Sequence, residues 1–486
     1  MNNWLDNNKR NLIALLCVSI IYVMPIVLTN SYYIDDMTKS LTGMGWDHDG
    51  RLLATKLMQY ISPGPDVVDV YPFGQMLASF LISLSAYIVL SSLTGRNDKT
   101  IFLASALFLG SPFLLENLSY RFDALIMAIS ILSVCLPFAF YKTRGIFFVA
   151  SFIGVFLSLM TYQASATSYF VVFAIFLARD AISKSFVDMI INSVIVLLSF
   201  VLAYLAFKSS LNFFDINLNG RNSLIFEQSN PRELLYRNTE VAKRVTLTLF
   251  NGGYLLFAAP VIASVVVAGL VILRRACSFR IHVGFVRIAI IALLVIAVVA
   301  CIPGANLLLS SPWWTARSMV GYSFFVLFLV SIPLIAGLND RVYRAVLVFA
   351  IIPSFTICAA YGSALHQQNE MTESIVSMTY PELSKYKDSD IVIDGKGPKS
   401  RRLLTIERNI PVVQFLVPVY MNNGWAWGIN YFKRFEMIGD GSFISGDKRL
   451  AILSEKCSYE KVQENKFYNL MKNGKVYVID FKKECT

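Results

Sequence analysis

The sequence predicts an all-α polytopic membrane protein of about eleven transmembrane helices, followed by a small C-terminal α/β domain. Three observations carry that expectation. Hydrophobic residues make up 56% of the 486 and charged residues only 15%, against ~25% charged residues in soluble domains. Mean hydropathy is +0.57. Apolar runs near the ~20 residues that span a bilayer core recur from the N-terminus to about residue 364 and then stop.

The runs place spans at 11–30, 73–93, 100–115, 123–141, 146–162, 167–178, 189–208, 253–273, 288–303, 319–337 and 345–364. The first is long, lacks a small-residue cleavage pattern and precedes many similar runs, so it reads as a span and not as a cleaved signal. Alternate connections are basic: Lys9 and Arg10, Arg96 and Lys99, Lys142 and Arg144, Arg179 and Lys184, Arg274, Arg275, Arg280 and Arg287, then Arg341 and Arg344. Positive charge on short loops marks the cytoplasmic side, which puts the N-terminus in the cytoplasm and the tail on the outer side of the membrane. The net charge of +11 then largely reflects topology and lipid contact, and argues against a nucleic-acid partner.

Residues 1–364 form the expected membrane domain, with outer loops at 31–72 and 209–252, and 365–486 form the tail domain. The tail mixes charge with strand-like runs at 390–393 and 475–481 and turn signals at Asp394-Gly395, Asn423-Gly424 and Asn473-Gly474. Cys457 and Cys485 are alone there. On an oxidising side two such thiols can pair or stay free, and spacing does not decide it.

The first outer loop holds most of the chemistry. Tyr32-Tyr33-Ile34-Asp35-Asp36 follows the first span directly, then Gly45-Trp46-Asp47-His48-Asp49-Gly50-Arg51. Leu53, Leu57 and Ile61 recur at helical spacing and predict an amphipathic helix in the interface. Asp35 and Asp36 either end a helix in water or supply a base. A sugar transfer needs a base for the acceptor hydroxyl and cations for a phosphate leaving group, and Tyr32, Tyr33 and Trp46 can stack on sugar faces or anchor in the interface.

Two further boundaries are charged. Tyr120-Arg121-Phe122-Asp123, near Glu116, sets an arginine and an aspartate beside an apolar span, where ions are costly unless paired or wet. They are either a structural pair or a phosphate or sugar contact, with Asp123 placed to orient Arg121. Pro312-Trp313-Trp314-Thr315-Ala316-Arg317 combines aromatics with a cation, a pattern that interface anchoring alone also explains. With only His48, His282 and His366, no HExxH and no Walker loop, neither a metal centre nor a nucleotide site is expected.

These motifs together, with Thr42-Gly43, resemble the glucosyltransferase II-like membrane proteins, the type II O-antigen glucosyltransferases of serotype-converting bacteriophages. The resemblance runs through spans and outer loops, and the tail adds little to it. It implies a GT-C-type enzyme that moves glucose from undecaprenyl phosphate glucose to a rhamnose of the lipid-linked O-antigen in the periplasm. It implies inversion, no metal, and no cofactor beyond that donor. The base falls on Asp35 or Asp36. The substrate-binding candidates are Tyr33, Trp46, Asp49, Arg51, Arg121, Asp123 and Arg317, with Arg121 ranked first among the phosphate contacts, then Arg51, then Arg317. The alternatives are a transporter or flippase of lipid-linked sugars, which would bury its charges at mid-membrane and repeat its halves, or a lipid-donor transferase for aminoarabinose or mannose.

Overall fold

Helices dominate because each apolar run must satisfy its own backbone polar groups in lipid. The computed structural model describes residues 2–183, 185–216, 223–249, 255–277, 281–386, 388–435 and 444–485. Lys184, Arg280 and parts of the 209–252 loop lie outside them.

Every predicted span overlaps a helix. In order these are α1 (Asn2–Val27), then, after α2 (Asp36–Thr42) and α3 (Leu52–Ile61) of the first loop, α4 (Phe73–Thr94) and α5 (Lys99–Leu109). A short α6 (Leu114–Ser119) precedes α7 (Ala124–Cys135), α8 (Arg144–Thr161), α9 (Ser168–Ser183) and α10 (Phe186–Phe213). After α11 (Pro231–Leu249) come α12 (Leu255–Cys277), α13 (Ile281–Ala300), α14 (Gly321–Ala336) and α15 (Asp340–Leu383). Eight described helices are long and apolar enough to cross a membrane, and 99–109, 124–140 and 284–300 are shorter apolar helices.

Two expected boundaries move. The run 100–115 is broken after Leu109, because Gly110 caps α5 and Pro112 cannot continue it. The span 345–364 lies within a 44-residue helix that crosses the expected domain boundary and ends at Leu383. Hydropathy marks where an apolar stretch ends, whereas the helix continues because Ile375, Val376, Thr379 and Leu383 are buried beyond it.

Hydroxyl pairs join the spans where small residues let backbones approach: Ser19 with Ser83 at 2.7 Å, Ser130 with Ser158 at 2.8 Å, and Ser119 with Tyr361 at 2.6 Å. Gly362 is required at one such approach, since a Cβ there would sit 2.5 Å from the Pro25 carbonyl oxygen of α1. The described basic connections gather at one end of the bundle. Arg96 bridges Asp98 at 2.5 Å and Asp340 at 2.6 Å, and Arg344 donates to Thr100 at 2.8 Å.

The tail comprises β1 (Asp390–Asp394), α16 (Arg401–Asn409), α17 (Trp427–Arg434), α18 (Gly446–Glu455), β2 (Glu460–Glu464), β3 (Asn469–Asn473) and β4 (Val476–Asp480). Sheet order is β1-β4-β3-β2, with β1 parallel to β4 and the other pairs antiparallel. The predicted strands are β1 and β4, and Asn473-Gly474 turns the β3–β4 hairpin with Gly474 at φ 59°. Cys457 and Cys485 are bonded. Buried Lys456 beside them bridges Asp394, Asp480 and Glu484. The tail rests on the first loop: Tyr33 donates to the Leu416 carbonyl at 2.6 Å and Asn430 to Thr38 at 2.9 Å.

Candidate active site

The chain reverses between α1 and α2, and that reversal sets the two aspartates apart. Asn30 has φ 46° and Ile34 φ 48°. A β-branched residue in the left-handed region is strained, and Ile34 is held there because its N–H donates to the Tyr420 hydroxyl and the Tyr33 N–H to Asp36 Oδ2. Asp36 is fully buried, and its oxygens also accept from the Arg121 N–H at 2.8 Å and the Phe122 N–H at 3.2 Å. It therefore ties the α6–α7 turn to the first loop. Burial and the Asp123 charge push its carboxyl up to about 7 against those N–H groups and Lys39.

Asp35 faces the other way, its side chain 43% exposed and its Oδ2 2.9 Å from Nη2 of Arg317. Arg317 enters on the turn Ala316–Met319, whose backbone N–H at Arg317 donates to Glu116 at 2.7 Å. Its guanidinium lies 4.5 Å from the Tyr120 ring centroid, and its carbonyl accepts from the Tyr162 hydroxyl at 2.9 Å. Glu116 is 1% exposed. Burial pushes its carboxyl up to about 7, opposed chiefly by Arg317.

A second cluster adjoins this pair. Asp123 accepts from Lys39 at 2.5 Å and from the Trp46 indole at 2.7 Å, with Arg51 at 3.8 Å. Burial pushes the Asp123 carboxyl up, but Lys39, Arg317 and other cations outweigh it and hold it below the usual carboxylate range. Lys39 also lies 3.9 Å from the Trp46 ring, and Arg51 donates to Gln163 at 3.0 Å and lies 4.8 Å from the Tyr162 ring. The result is one exposed carboxylate, Asp35, beside the guanidinium of Arg317 and close to further fixed cations, at the end of the bundle opposite the basic connections. Such a site can take a hydroxyl proton and hold an anionic leaving group.

The chain matches the family described as glucosyl transferase GtrII over residues 24–328, more than half its length. It belongs to the GtrII glucosyl transferase family. It is thus a glucosyltransferase of the membrane. It is also similar to a Salmonella phage P22 protein described as an uncharacterized 55.3 kDa protein in the gtrB 5' region, with 25% identity over 442 residues, 87% of this chain and 89% of that one. No solved structure matches the chain.

Asp35, Asp36, Trp46, Arg51, Arg121, Asp123 and Arg317 all lie inside the GtrII match and are brought together at one end of the bundle. Other expectations change. Arg121 is oriented by Asp69 at 2.6 Å and not by Asp123, and it is clamped between the Tyr32 and Tyr71 rings at 4.4 and 4.0 Å. Tyr33 is buried, with its hydroxyl spent on the tail. Trp46 is 3% exposed in a cluster with Ala54, Met58 and Phe122, so its ring is committed to packing. Asp49 is exposed, and its carbonyl accepts from Gln163 at 2.9 Å. Lys39, Asp69, Tyr162 and Gln163 also contact these residues, Tyr420 contacts Ile34, and they do not stand out in the sequence. Only Lys39 carried a local signal, four residues beyond Asp35 at helical spacing.

Proposed function

We propose that this GtrII glucosyl transferase moves glucose from undecaprenyl phosphate glucose to a rhamnose of the lipid-linked O-antigen, on the periplasmic face of the inner membrane, with inversion and without a metal. The observation that carries this reading is the exposed Asp35 carboxylate held 2.9 Å from the Arg317 guanidinium at the end of the bundle away from the basic connections. Asp35 takes the proton of the rhamnose hydroxyl as that oxygen bonds to C1 of glucose. The bond from C1 to the phosphate oxygen breaks, and undecaprenyl phosphate departs with its charge met by Arg317, Arg51 and Lys39. A single base suffices for a one-step inverting displacement. The Cys457–Cys485 disulfide supports a tail in an oxidising compartment.

The charges sit at the loop end of the bundle, the arrangement expected of surface chemistry, whereas a flippase needs them along a path through the spans. The test is chemical analysis of the O-antigen from cells with and without this chain. A glucose on rhamnose that depends on the chain supports the reading, and an unchanged polysaccharide overturns it.

A further inference from the structure

We propose that the tail carries a carbohydrate subsite, an arc of aromatic rings centred on Trp425 that holds a pyranose ring of the glycan acceptor beside Asp35. The inference rests on the glucosyl-transfer reading and names a part of the acceptor site of which Tyr420, Trp425 and Trp427 lie beyond the GtrII match, which ends at residue 328, while Trp313 lies within it.

Four rings make the arc. Trp313 meets Trp425 edge-on at 4.9 Å, Trp425 stacks on Trp427 at 5.1 Å, and Trp427 meets Tyr420 at 6.5 Å. Both ends are tied to the two halves of the Asp35–Arg317 pair. At one end the Trp313 carbonyl accepts from Ser318 at 2.7 Å and Asn306 at 3.1 Å, which fixes this tryptophan to the turn bearing Arg317. At the other, the Tyr420 hydroxyl accepts from the Ile34 N–H at 3.4 Å and donates to the Tyr32 carbonyl at 3.3 Å, next to Asp35 in the chain. The arc is thus anchored to the chain beside Asp35 at one end and beside Arg317 at the other.

Trp425 is 40% exposed, although its loop is fixed. Asn422 donates to the Val419 carbonyl at 2.7 Å and accepts from the Gly424 N–H at 2.8 Å, while Asn423 and Gly397 hydrogen-bond across to residues 395 and 421. A large ring held part-exposed between two others in a fixed loop has little entropy to lose on binding. The C–H face of a pyranose is apolar and suits the negative face of an indole, and the exposed Asn423 amide beside it can bond to sugar hydroxyls. A membrane anchor needs no stacked partners and no flanking amides. A glycan uses both.

The test uses the full chain in nanodiscs and delipidated O-polysaccharide as the probe. Trp425→Ala should weaken equilibrium binding of the polysaccharide by ~10- to 100-fold and raise the acceptor KM alike, with kcat and donor KM within about twofold. Trp425→Phe, which keeps a ring, should restore much of the binding. Equal binding by wild type and Trp425→Ala, or no binding by wild type, overturns the subsite. A fall in membrane abundance with unchanged polysaccharide binding also overturns it, in favour of an interface anchor. Trp425-dependent polysaccharide binding without transfer from polyprenyl phosphate glucose would instead leave the subsite standing and sink the donor assignment.

Discussion

Asp35 and Asp36 are neighbours with opposite surroundings, and those surroundings decide what each can do. Asp36 spends its oxygens on three backbone N–H groups inside the protein, whereas Asp35 keeps an exposed carboxylate against one guanidinium. The arginines divide the same way. A lysine cannot reproduce the planar fork of an arginine, so Arg317→Lys should cut transfer by about 10²-fold at unchanged protein abundance. Arg121→Lys should lower thermal stability more than turnover, because it loses the clamp between Tyr32 and Tyr71 and the Asp69 pair. Melting curves and initial rates on both variants separate these outcomes. Glu116 adds a pH dependence: burial pushes its carboxyl up to about 7 in the fold from about 4.3 when unfolded, so the folded state binds the proton more readily between them. Its contribution to stability is full below about 4.3 and lost as pH rises to about 7. Glu116→Gln should flatten that decline in a melting series across pH 4 to 8. The sequence exposed the acidic pair but not the division of labour, because burial of Asp36 arises from the distant residues Arg121 and Phe122.

At the scale of elements, composition and periodicity made the spans, the helix α3 and the strands β1 and β4 legible, since each depends on its own residues. The reach of α15 into the tail and the short helices α2 and α6 were not, because they are fixed by packing partners remote in sequence. The Cys457–Cys485 bond was open for the same reason: proximity is a tertiary fact. The bond closes across 28 residues beside the buried Lys456 cluster. Cys457→Ser should destabilise the tail by about 3 kcal/mol, and reductant should do the same to wild type. Limited proteolysis of the tail with and without reductant measures it, and equal resistance would remove the bond from the account.

For the whole molecule, the basic connections and the carboxylates sit at opposite ends of one bundle, so topology and chemistry stand or fall together. A reporter fused after Arg275 should read as cytoplasmic and one after Lys385 as periplasmic. A cytoplasmic tail would place the site on the wrong face for a periplasmic acceptor. In the proposed function Asp35 serves as the base of a glucosyl transfer drawing on a polyprenyl phosphate donor. The most direct test is the rate of glucose transfer by purified full-length Asp35→Asn, with Asp36→Asn as comparator and thermal unfolding followed in both. Asp35→Asn should lose ~10²–10⁴ in rate at an unchanged unfolding midpoint, and Asp36→Asn should show a lowered midpoint. A wild-type rate in Asp35→Asn would remove Asp35 as the base.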